Sequence, residues 1–170
     1  MLCAVRRTER VLAAGLAVLV FGACASTMTY FNGTATSTTE AGPLSLKLEA
    51  PAVVSGGQPV PLRMVMTNIS NDTLMVSVPD HDFFQTDVMV TQWSVQVWHK
   101  LKHKSCGCAA LQWPLAPRDS VVFRDIWPQR TNHHWPVAPG KYTVKGFVFE
   151  EGVTRVGGTL ESAPIEIRVR

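Results

Sequence analysis

Apolar positions follow two different patterns along this chain. From Val11 to Phe21 they run without interruption, with Arg6, Arg7 and Arg10 before them and Gly22, Ala23 and Cys24 after them. A helix that stays in a bilayer needs about 20 apolar residues, and this run is shorter. A basic start, a short apolar stretch and small residues at its end are the three parts of an export signal. From Pro43 onward the pattern changes to short alternating runs. Leu44, Leu46 and Leu48 alternate with Ser45, Lys47 and Glu49, and Val60, Leu62, Met64 and Met66 alternate with Arg63 and Thr67. A period of two is the signature of a strand with one buried face.

The same signal recurs at residues 74–78, 87–91, 93–100, 120–126, 141–149 and 164–169, separated by turn-forming Asn-Asp, Gly-Gly and Pro-Gly pairs. In the 93–100 run, Trp93, Val95 and Val97 are expected on the core side. No long window after Gly42 keeps a helical period, and Pro59, Pro61, Pro114, Pro117, Pro128, Pro136 and Pro139 oppose long helices. Short strands at this spacing predict an all-β sandwich. Residues 25–42 are rich in Ser, Thr, Gly and Ala without apolar periodicity, which predicts a flexible tether. The expected divisions are a signal over 1–23, a tether over 24–43 and a sandwich over 44–170.

Phe21-Gly22-Ala23-Cys24 resembles the lipobox of bacterial lipoproteins, with Phe21 where Leu is usual. The resemblance implies that Cys24 is acylated and becomes the new N-terminus. Two or three acyl chains hold a protein to a membrane far more firmly than one. Ala25 does not match the inner-membrane retention signal of enteric bacteria, so the outer membrane, facing periplasm or surface, is the expected location in a two-membrane cell. Further along, residues 60–68, 83–98, 115–127 and Val137-Ala138-Pro139-Gly140-Lys141-Tyr142-Thr143-Val144 resemble, in order, blocks of the intracellular proteinase inhibitor (BsuPI-type) domain. That resemblance implies an immunoglobulin-like antiparallel β-sandwich of about seven to nine strands. The insertion-like residues 100–113 and the export signal depart from the family pattern, and no reactive-site residue carries over from it.

Charge adds an exclusion. Of 16 Lys and Arg and 13 Asp and Glu, three and one fall in residues 1–23, leaving 13 and 12. A chain so nearly neutral carries no general electrostatic signal for nucleic acid.

Candidate chemistry concentrates in His99-Lys100-Leu101-Lys102-His103-Lys104-Ser105-Cys106-Gly107-Cys108. Continuing the period of two puts His99, Leu101 and His103 on one face and Lys100, Lys102 and Lys104 on a solvent face. His99, His103, Cys106 and Cys108 are candidate ligands for a soft or borderline metal, with His133 and His134 as further donors, although Cys-x-Cys is not the usual spacing. After export the two thiols could instead close a disulfide or act as a redox pair. Asp80-His81-Asp82 and Asp87 could orient a general base or bind a cation, but no nucleophile motif accompanies them. Trp98, Trp113 and Trp135 are candidates for an exposed binding surface, since Trp is enriched at interaction hot spots. The expected function is therefore non-catalytic and needs no cofactor. The chain is read as a membrane-anchored domain that binds a protein, peptide or envelope polymer. The alternatives are a proteinase inhibitor in the envelope and a metal or thiol site around residues 99–108.

Overall fold

A computed structural model describes residues 33–150 and 158–170, without the side chains of residues 149, 150 and 158. Cys24 and the export signal lie outside the described residues. Twelve strands are described: β1 (Thr34–Ala41), β2 (Leu44–Pro51), β3 (Val53–Val54), β4 (Val60–Asn68), β5 (Leu74–Pro79), β6 (Thr86–Gln92), β7 (Val95–His99), β8 (Ala110–Leu115), β9 (Ser120–Trp127), β10 (Gly140–Glu150), β11 (Gly158–Glu161) and β12 (Ile165–Val169). A single helical turn, α1 (Asp82–Gln85), precedes β6.

Alternation in sequence becomes alternation in burial. In β4 Val60, Leu62, Met64, Met66 and Asn68 are buried, while Pro61 and Arg63 face solvent. One sheet has the order β1-β2-β4-β9, a second has β3-β12-β10-β6-β7 with β11 also on β10, and β5-β8 form a separate two-stranded sheet. Pairing is antiparallel apart from β3 against β12. Leu46, Leu48, Met64 and Met66 from the first sheet meet Val88, Val90, Val144, Val148 and Ile167 from the second in one core. The sheets press together at Gly146 in β10, where a Cβ would lie 2.6 Å from Met64 Sδ. This is the immunoglobulin-like β-sandwich class.

The boundary of the domain lies earlier than the tether reading placed it. Residues 34–41 are not tether but β1, paired along its whole length with β2. Its Ser and Thr residues hid it, because they give no apolar alternation, yet β-branched Thr suits a strand. Ser37 Oγ donates to Ala163 O, and Thr39 Oγ1 accepts from Ala163 N, so hydroxyls hold this edge to the opposite side of the sandwich. β3, β8 and β11 were also unanticipated, being short or lying inside the segment read as an insertion.

Two polar side chains fix the ends of the core. Asn68 is fully buried, donating to Asp72 O at 2.7 Å and Leu115 O at 2.9 Å and accepting from Ser70 N and Ser70 Oγ. It closes the turn after β4 and ties it to the end of β8. Tyr142, buried against Trp127, donates its hydroxyl to Ala138 O, four residues upstream. This is the tyrosine-corner arrangement of such sandwiches. Gly140 lets Gln92 approach, since a Cβ there would stand 2.7 Å from Gln92 Nε2.

Burial pushes the Tyr142 hydroxyl above its ordinary pKa, and a hydrogen bond from Gln92 partly opposes it. The folded protein then keeps this proton where the unfolded chain, above about pH 10, releases it, so stability falls as pH rises beyond that value. Tyr142→Phe should cost about 1 kcal/mol at neutral pH and flatten that alkaline decline. Urea unfolding of both proteins at neutral and alkaline pH measures both effects.

Candidate functional site

β6 and β7 form a two-residue hairpin, with Gln92 opposite Val95. Its central residues are Trp93 (φ 50°) and Ser94 (φ 65°), both left-handed, as the tight hairpin turn requires of positions usually filled by Asn and Gly. Trp93 is 88% exposed rather than in the core, because the turn carries it past the end of the sandwich. Two residues on, the register slips. Gln96 pairs with Thr91 but Trp98 pairs with Val90, so Val97 is the extra residue of a bulge.

That single residue decides the chemistry of the site. A one-residue slip exchanges the two faces of a strand. Beyond the bulge Trp98 and Lys100 turn toward the core side, and His99 turns away from it. Trp98 is half-buried against the core, and Lys100 is buried rather than solvated. The lysine face expected from strict alternation is thus broken at its first residue.

Lys100 reaches across the sandwich. Its Nζ lies 2.8 Å from Asp125 Oδ1 on β9, donates to Thr86 Oγ1 at 2.9 Å, and stands 4.9 Å above the Phe83 ring. Thr86 itself donates to Asp125. On the other face His99 Nε2 pairs with Asp87, whose second oxygen accepts from the backbone N–H groups of Val88 and Leu101. Lys104 Nζ covers the same Phe83 ring at 4.6 Å.

β7 and β9 are the end strands of their sheets, and the Lys100–Asp125 pair crosses the seam between them. The loop of residues 128–139 closes this side. Asn132 stands in for a neighbouring strand: its Oδ1 accepts from His99 N at 2.9 Å, its Nδ2 donates to His99 O at 2.8 Å, and its backbone N donates to Val97 O. Thr131 closes a tight turn through His134 N and Trp135 N, and Arg130 donates to His134 O. Between this loop and the turn after β7 lies a cavity of about 350 Å³, with Phe83, Trp98 and Lys100 as its floor. Lys102, His103 and Lys104 form one wall, and Arg130, Asn132, His133 and His134 contribute to the other.

The expected site residues meet only in part. Trp98 lines the cavity, Trp113 packs half-buried against the core, and Trp135 is 70% exposed. His99, His103, Cys106 and Cys108 do not converge as ligands. His99 is turned onto Asp87, His103 stands exposed in a left-handed turn, and the two cysteines are joined as a disulfide. Among the described residues no three His, Cys, Asp or Glu side chains are placed to hold a metal ion. His81 caps α1 by accepting from Phe83 N, and Asp82 accepts from Gln85, so both have local structural work. Phe83, Arg130 and Asn132 were missed. The basic and amide residues beside His133-His134 were the available signal for the last two.

A shallower depression of about 600 Å³ crosses the outer face of β2, β4 and β9. Within it, hydrogen bonds from Lys47 and Arg63 hold the Glu49 carboxyl below its ordinary pKa.

No protein-family model and no curated protein matches the chain. Among solved structures, the CARDB domain of a Pyrococcus furiosus protein is similar at 17% identity and a TM-score of 0.40, over 75% of this chain and 94% of that one. The C-terminal domain of wzt is similar at 10% identity and a TM-score of 0.45, over 83% and 80%. A β-glucosidase from Listeria innocua is similar at 14% identity and a TM-score of 0.41, over 74% of this chain but 16% of the enzyme. These likenesses lend no site and no activity.

The buried pair sets a stability test. Lys100→Met leaves Asp125 buried without its cation and should cost about 3–5 kcal/mol. Pairing it with Asp125→Leu should recover most of the loss, apart from about 1 kcal/mol for the orphaned Thr86 hydroxyl. Denaturant unfolding of the single and double variants measures the difference.

Proposed function

We propose that this chain is a non-catalytic, lipid-anchored protein of the bacterial cell envelope whose sandwich binds an envelope polymer, peptide or protein at the β7–β9 seam. The observation that carries the reading is the seam itself. Two loops, at residues 100–109 and 128–139, flank a cavity whose floor combines aromatic rings with a fixed cation. Loops held on a rigid sandwich are where such folds place their binding residues. The basic, apolar and small-residue order ending at Cys24 supports export and acylation. Among the described residues no helix is long and apolar enough to cross a membrane.

The test uses the intact chain in its own membrane. Cys24→Ser should move the protein from the membrane fraction to the soluble one and abolish incorporation of labelled fatty acid. A photo-crosslinker at His133 should capture a defined partner that the same group at Ser120, on β9 away from the cavity, does not capture. Identical products at both positions would sink the seam as the binding site.

One observation favours a second reading, proteinase inhibition in the envelope. The Trp93-Ser94 tip presents an exposed aromatic on a backbone held in the left-handed region, and a tip fixed in shape loses less entropy when bound. The purified domain should then abolish an envelope protease's activity stoichiometrically, and Trp93→Ala should relieve it. No effect across a protease panel removes this reading.

A further inference from the structure

We infer that the β7–β9 seam is a receptor for a phosphorylated sugar. This rests on the seam being the binding site and goes further, to the chemistry of what it holds.

The argument begins with unmatched charge. Residues 24–170 carry 13 basic and 12 acidic side chains, so no general excess of cations explains what gathers here. Lys100, Lys102, Lys104 and Arg130 all line one cavity, together with His103, His133 and His134, and no carboxylate is among the lining residues. Asp125 and Asp87, which lie against the residues of the site, are already engaged, Asp125 by Lys100 and Asp87 by His99. Lys102, Lys104 and Arg130 have no carboxylate partner among the described residues. Three cations facing one space repel one another, and an anion between them removes that repulsion. A group with several oxygens and more than one charge suits them better than a single carboxylate. Arg130 spends one donor on His134 O, and a guanidinium has five.

The second half of the ligand is set by the floor. Trp98 and Phe83 line the cavity with aromatic surface. Lys100 and Lys104 lie over the Phe83 ring, which fixes the cations beside the apolar surface. Asn132 is pinned at both ends of its amide by His99, so it acts as framework and not as a hydroxyl reader. A sugar ring offers C–H faces to aromatic carbon and hydroxyls to imidazole, and the space of about 350 Å³ lies in the range of small-ligand sites. A bare inorganic anion would leave the aromatic floor uncovered, and a neutral sugar would leave the cations unmatched.

Calorimetric titration of the full chain in detergent micelles tests this. The probes are a hexose 6-phosphate, the parent hexose and inorganic phosphate. The hexose phosphate should bind at least about tenfold more tightly than either of the others, and weaken as salt rises from about 0.05 to 0.5 M. Lys102→Gln with Lys104→Gln, both outside the core cluster, should weaken it by about tenfold or more, while cooperative unfolding shows that the fold is kept. Equal affinity for hexose phosphate and inorganic phosphate overturns the sugar, and equal affinity for hexose phosphate and hexose overturns the phosphate. A phosphorylated glycolipid in mixed micelles separates the sources. Tighter binding than the soluble sugar assigns a lipid headgroup, and weaker binding assigns a soluble or polymer-borne phosphate. Absence of binding in every arm overturns the ligand class. If crosslinking at His133 still captures a partner, the seam remains a binding site for something else; if it does not, both readings fall.

Discussion

One buried ion pair, Lys100 with Asp125, joins the two sheets where neither is closed by a further strand. Its side chains are 6% and 11% exposed, so most of their hydration is gone. Such a pair is a poor source of stability, because the Coulomb attraction it gains is offset by desolvation. Its effect is on arrangement. Among the described residues Asp125 accepts from partners that lie across the seam, Lys100 after β7 and Thr86 at the start of β6. Any slip of β7 along β6 would leave a carboxylate without its cation in a low-dielectric space. The pair therefore fixes the register of the strand from which the whole basic turn departs.

An exposed strand edge invites pairing with other chains. β7 and β9 each present one, and a loop covers that of β7. Asn132 uses its side-chain amide and its backbone to occupy the donors and acceptors that a strand beside β7 would take. Because the loop bonds to the edge only near Val97 and His99, it stands away from the turn that follows. The space left between them is the cavity. Edge protection and the cavity are thus consequences of one loop.

Sequence made the sandwich legible wherever alternation was apolar. β4 was readable to its last residue, and Pro-Gly before Tyr142 announced the corner that Tyr142 closes. Alternation failed in three places for separate physical reasons. In β1 the strand-forming residues are Thr and Ser, whose hydroxyls serve the opposite sheet and leave no apolar rhythm. At Trp93 a turn with left-handed backbone on a bulky residue defied the usual turn chemistry, so the ring read as core. At Val97 a bulge reversed the faces, which made Lys100 appear solvated. No residue type marks a bulge of this kind reliably, and the inter-sheet pair was illegible for that reason. Half the cavity was still visible as a dense run of Lys and His, although the partner wall lies about 30 residues away in sequence.

Near-neutral overall charge and a cationic seam have a joint consequence. At physiological salt, charge is felt over about 8 Å, so the three unmatched cations act within the cavity and do not draw the whole domain to an acidic surface. For the ligand proposed above, selectivity would depend on whether it fits between the two walls, and far less on how negative the surrounding surface is. Ser105-Cys106-Gly107-Cys108 bears on that fit. The disulfide closes a small ring just past Lys104, and Ala109 O accepts from Asp80 N beside α1. The basic turn is consequently restrained at both ends, by Lys100 at one and by the bridged segment at the other. A wall held in this way would lose little freedom on taking up the ligand proposed above, and it keeps like charges together at a distance that an unrestrained loop would increase.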